Sequence, residues 1–148
     1  MQRTLLPLTL LVCAVAAAAS EPYQPYQGIE QGRDGLPRLV FVADNHAAEP
    51  IVCSVSLAHW YSAELGHAAP GGAVRAALWL DPATGAVSLL NETAHRMPVE
   101  VLWCGFDGRA WATRSRIELP REPAEAEFAV TCKEGADRLV CSSPDKHR

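Results

Sequence analysis

The chain has 148 residues, 49% of them apolar and 20% charged, with 13 basic side chains against 17 acidic ones. That is enough for one domain with a real core but not for two. The mildly acidic balance argues against nucleic acid or an anionic membrane surface as a partner.

Residues 1–20 read as a secretory signal peptide. Met1-Gln2-Arg3 is a short basic start, Leu5 to Val15 an apolar run, and Ala16 to Ser20 a run of small residues, with cleavage expected near Ser20-Glu21 or one residue earlier. The apolar run is too short to span a bilayer, so no transmembrane segment is expected after cleavage. Cys13 follows Val12 rather than a small residue, which argues against lipidation. Removing the leader leaves twelve basic residues against 17 acidic ones, a net charge near −5.

Residues 21–38 form a polar lead containing Pro22-Tyr23-Gln24-Pro25-Tyr26-Gln27. Proline fixes φ and there is little apolar material to bury, so a flexible spacer is expected. The doubled Pro-Tyr-Gln unit as a docking motif is the alternative.

The domain proper is expected over residues 39–141. Leu39 to Ala43 is its first strand, and Asp44 to Pro50 turns the chain. Ile51 to Tyr61 is the second strand, with Ile51, Cys53, Val55 and Leu57 facing inward. Its end breaks the pattern: His59 and Tyr61 continue the inward parity, and Trp60 the outward one. Glu64 to Gly72 reads as a loop. Val74 to Leu80 follows as a strand, with Val74, Ala76, Leu78 and Leu80 on one face. Asp81-Pro82-Ala83-Thr84-Gly85 has the composition of a hairpin loop leading into Val87 to Leu90.

The stretch Met97 to Trp111 reads as a strand, an Asp107-Gly108 turn and the start of a return strand. Period-two alternation sets Met97, Val99, Val101 and Trp103 on one side and Glu100, Leu102 and Cys104 on the other. On the return strand, Trp111, Thr113, Ile117 and Leu119 share a face opposite Arg114, Arg116 and Glu118. Residues 126–141 form a last hairpin, and 142–148 a polar tail.

With Cys13 removed, Cys53, Cys104, Cys132 and Cys141 remain, an even number that reads as two disulfides in an oxidising compartment. Three pairings are possible. Strand parity favours Cys132 with Cys141 across the last hairpin, leaving Cys53 for Cys104. In the loop-entropy model these would stabilise by roughly 2.5–3 and about 4 kcal/mol. The expected fold is therefore all-β: a small disulfide-stapled β-sandwich, or partly open barrel, of about eight short antiparallel strands.

Three groups of side chains are candidates for function. His46, His59, His67 and His95 all fall in turns or at strand ends, and imidazole suits copper or zinc. No H-E-x-x-H or H-x-H spacing joins them, and structural or surface histidines are the plainer reading. Trp60, Tyr61 and Trp79, with His59 nearby, are candidates for a contact surface, and Trp111 is a further aromatic that stacks if exposed. A nominally outer tryptophan is also a site for a covering loop or the N-terminal arm to pack on. Arg109, Arg114, Arg116 and Arg121 gather on one hairpin, where a solvated face is the plain reading.

No nucleophile elbow, P-loop, dinucleotide fingerprint or zinc-protease motif is present, and no catalytic residues are nominated. Asn91-Glu92-Thr93 matches a glycosylation acceptor triplet. The expectation is a secreted or periplasmic, non-enzymatic protein binding another protein or a cell-envelope component. Alternatives are a small copper- or zinc-binding module and an envelope-acting hydrolase without an identifiable motif.

Overall fold

The computed structural model describes residues 30–120 and 126–143; the expected signal peptide, the Pro-Tyr-Gln pair, Arg121 and residues 144–148 lie outside them. Among the described residues there is no α-helix, and nine strands account for more than half of them. These are β1 (Arg38–Asn45), β2 (Ile51–Leu57), β3 (Tyr61–Ala68), β4 (Ala73–Leu80), β5 (Val87–Leu90), β6 (Arg96–Phe106), β7 (Ser115–Ile117), β8 (Glu127–Glu134) and β9 (Leu139–Ser142). They join edge to edge in one open mixed sheet, ordered β3-β2-β6-β5-β4-β1-β8-β9, with β7 paired to β6.

The all-β class and the two bridges agree with expectation; the purely antiparallel pairing does not. β1 and β8 run parallel, from Val40 opposite Glu127 to Asn45 opposite Cys132. Alternation within a strand reports which side is buried and carries no information about the direction of its neighbour.

Inward parity is realised on β2 and β4. Ile51, Cys53, Val55 and Leu57 are buried, as are Val74, Leu78 and Leu80, and they share one core with Leu39, Phe41 and Ala43 of β1. β6 holds the sheet together by changing partners along its length. Its first residues pair with β5 from Arg96 to Pro98, and its later ones lie between β2 and β7.

At the change of partner the register slips. Ser56 lies opposite Val101 and Leu57 opposite Val99, so Glu100 is one residue too many. Such a bulge reverses the side to which every following residue points. Met97 is therefore buried before it and Leu102 and Cys104 after it, while Val101 and Trp103 turn outward and are half-buried. The single face expected for Met97, Val99, Val101 and Trp103 is corrected on this ground.

Two further expectations change. The segment Glu64–Gly72 is not a loop: its first half belongs to β3, bulged at Leu65 because Cys53 opposes Gly66 and Ser54 opposes Glu64. The return strand after Asp107-Gly108 is short, and Trp111 precedes it. Gly108 takes the positive φ (75°) expected of the turn. Thr113 then closes a compact loop, accepting from Phe106 N at 3.0 Å and donating to Arg109 O at 3.1 Å. This side-chain route replaces a continued ladder. The loop folds directly over Gly105, where any Cβ would run into the backbone of Ala110.

Both expected bridges are present, each between directly opposed residues: Cys53–Cys104 joins β2 to β6, and Cys132–Cys141 joins β8 to β9. The sulfurs of Cys104, Cys132 and Cys141 all lie within 4.8 Å of one another. The bridge between β2 and β6 thus meets the one between β8 and β9, although these pairs lie far apart in the strand order.

The lead expected to be flexible is partly built into the fold. Arg96 Nη1 pairs with Glu30 at 2.8 Å, Nε donates to Gly32 O at 2.7 Å and Nη2 to Asp34 O at 3.1 Å. A short bridge between Gln31 and His95 continues the attachment.

Candidate binding surface

β2 and β3 are joined by the three residues Ala58, His59 and Trp60, with Leu57 and Tyr61 as the last opposed pair. The rule-break at the end of the expected second strand is therefore a hairpin tip. His59 has φ 64° and ψ 31°, and Trp60 has φ 68°. Positive φ at two successive residues is the signature of a primed turn, whose twist matches that of the flanking strands. Such turns prefer Asn and Gly because a Cβ in this region costs roughly 1–2 kcal/mol. Here a tryptophan occupies it with its side chain wholly in solvent: Trp60 is 102% exposed and Tyr61 62%.

Of the proposed contact residues, the fold brings His59, Trp60 and Tyr61 to one tip. Trp79 lies elsewhere, within β4, half-buried, with the Arg33 guanidinium 5.5 Å from its ring centroid. The N-terminal segment held by Arg96 is what covers it.

The four histidines occupy separate parts of the fold. His46 follows β1 and its backbone N–H reaches Cys132 O at 2.8 Å. His59 is at the tip of β2–β3. His67 lies between two carboxylates, with Nε2 2.8 Å from Glu64 and Nδ1 3.4 Å from Asp107. His95, in the β5–β6 turn, accepts from the Gln31 amide at 2.7 Å. Among the described residues, the one set of three His, Cys, Asp or Glu donor atoms gathered within 4.8 Å is that of the bridged cysteines. Asn91 of the acceptor triplet caps the turn before His95, its Oδ1 receiving the N–H groups of Thr93 and His95 at 3.0 and 2.8 Å.

The outward turn of β6 after Glu100 creates a second feature. Val101 and Trp103, with Ser56 of β2, floor an open groove of about 600 Å³. Trp111 walls it, standing edge-to-face with Trp103 at 5.8 Å and 83°, and is 64% exposed. Arg114, Arg116 and Arg138 rim it, and among the described residues no acidic side chain lines it. Arg114 stacks 3.9 Å from the Trp111 ring centroid and donates to Trp111 O at 2.5 Å.

The arginines gathered on the hairpin thus divide. Arg109 is committed to Glu49, in a two-pronged pair at 2.8 Å for each nitrogen. Hydrogen bonding and charge from Arg109 hold the Glu49 carboxyl below its ordinary value. Arg114 and Arg116 face the groove, where Arg138 joins them from the β8–β9 turn. Trp103 and Arg138 were not nominated from the sequence. The first is turned outward by a bulge, and the second reaches the site only through strand pairing.

Comparison with protein families, with curated proteins and with solved structures finds no match.

Proposed function

We propose that this is an exported, non-enzymatic protein that engages a protein or cell-envelope partner through the tip of the β2–β3 hairpin. One observation carries the reading: a fully exposed tryptophan sits on left-handed backbone, where glycine would be more stable. Among the described residues nothing compensates the strain through burial of that ring. Occupation of an apolar recess on a partner would, as exposed aromatic rings do at interfaces.

Export is supported by the two disulfides, which persist in oxidising compartments. Among the described residues no helix is long and apolar enough to cross a membrane. Together with the leader-like residues 1–20, these observations favour a secreted or periplasmic location.

The strain and the contact separate in one substitution. Trp60→Gly should raise the free energy of unfolding by about 1 kcal/mol, because glycine adopts the turn without a Cβ clash. The same variant should lose the partner that the parent retains in a pull-down from an envelope extract. Reduced stability together with unchanged capture would make Trp60 a structural residue and end the proposal.

A further inference from the structure

We propose that the groove floored by Trp103 and rimmed by Arg114, Arg116 and Arg138 binds an acidic saccharide, its ring against Trp111 and its carboxylate on the guanidiniums. The site does not depend on the hairpin tip, although its floor begins at Ser56, two residues before Ala58.

Charge complementarity is the first support. The whole chain carries four more acidic than basic groups, yet among the described residues this groove collects three guanidiniums and no carboxylate in its lining. Of the three, Arg138 has an acidic neighbour, Asp137, at 3.2 Å; neither Arg114 nor Arg116 forms an ion pair among the described residues. Like charges gathered on a partly apolar surface repel one another, and a bound anion relieves that repulsion. A guanidinium offers five N–H donors in a planar fork matched to a carboxylate. Arg114 spends one nitrogen on Trp111 O and retains the others.

The second support is the kind of surface. At Leu102, Trp103 and Cys104, β6 is paired with β2 on one side and with β7 on the other. Its backbone groups are therefore committed, and a peptide cannot add there as a strand. The groove offers the Trp111 indole, covered on one face by Arg114 and otherwise largely exposed, with guanidinium forks and the Ser56 hydroxyl. Those groups suit the C–H face, carboxylate and hydroxyls of a uronic acid unit. A volume of about 600 Å³ falls within the usual range for small-ligand sites, about 300–1,000 Å³.

Titration of the mature protein with a galacturonate oligomer tests the assignment, read by tryptophan fluorescence and calorimetry. A galactose oligomer of equal length and polyglutamate are the comparators. Saturable binding of galacturonate is expected, weakening as salt is raised, with the neutral oligomer inactive and polyglutamate much weaker. Arg116→Glu should lower affinity at least about tenfold, the worth of one charge-assisted contact. Trp111→Ala should lower it in the same direction, and Trp60→Gly should leave it unchanged. Each variant is first shown to unfold cooperatively with both bridges intact, and Arg116→Gln replaces Arg116→Glu if the latter fails. No saturation by galacturonate, equal binding of polyglutamate, full affinity in the folded Arg116 variant, or loss with Trp60→Gly would each overturn the proposal.

Discussion

Replacing Cys53 and Cys104 together by alanine should lower the free energy of unfolding by about 4 kcal/mol, from loop closure alone. The bridge spans 51 positions, against nine for Cys132–Cys141, whose removal should lower it by roughly 2.6 kcal/mol in the same model. In a domain of this size, either is a large part of the total. Removal must be pairwise. A lone Cys53→Ala change leaves the Cys104 thiol within 4.8 Å of the Cys132 and Cys141 sulfurs, close enough for exchange to a new bridge. Urea unfolding of the two double variants under non-reducing conditions gives the comparison. A larger loss from the short bridge than from the long one would contradict the account.

Asn45→Ala should cost about 3 kcal/mol, a large loss for one polar side chain. Asn45 is fully buried at the end of β1. Its side-chain amide donates to Glu49 O at 2.9 Å and Ala68 O at 3.1 Å, and its oxygen accepts from Ala47 N at 3.0 Å. One side chain thus closes the β1–β2 turn and ties it to the last residue of β3. Alanine leaves buried and part-buried backbone groups without their partner and a small void beside them. Each unsatisfied group costs roughly 1–3 kcal/mol, and partial relaxation keeps the total near the lower end of the sum. Chemical unfolding measures the loss. A change below about 1 kcal/mol would show that water or neighbouring groups replace the amide.

The inward faces of β2 and β4 were legible from the order of residues alone, because both strands keep period two over their buried length. The bridges were legible for the same reason: Cys53 shares parity with Ile51 and Val55, and Cys132 and Cys141 face each other across a short turn. Where an extra residue enters a ladder, that reasoning fails. Glu100 shifts β6 by one and sends Trp103 outward, although the written alternation runs unbroken through it. Leu65 does the same in β3, where glycine, alanine and proline already suggested a loop. Bulges arise from pairing with a neighbour, so one strand's pattern does not contain them.

The candidate sites follow the same division. His59, Trp60 and Tyr61 broke the local pattern and proved to share a tip, since a turn is a local structure with a local signature. Trp79 kept the outward parity expected of it but is covered by Arg33, which only the attachment of the N-terminal segment places there. The groove assembles Ser56, the Trp103–Trp111 hairpin and Arg138 from three separate parts of the chain. Nothing in the spacing of those parts connects them, and only the folded sheet does.

That Trp60 is a contact residue, displayed at a strained turn for something outside the molecule, is tested most directly by photo-crosslinking in the producing cell. A photoreactive phenylalanine analogue would be placed at position 60 and, in a parallel strain, at position 79. A discrete adduct from position 60 with none from position 79 is the predicted result. No adduct from position 60, or the same products from both positions, would contradict it.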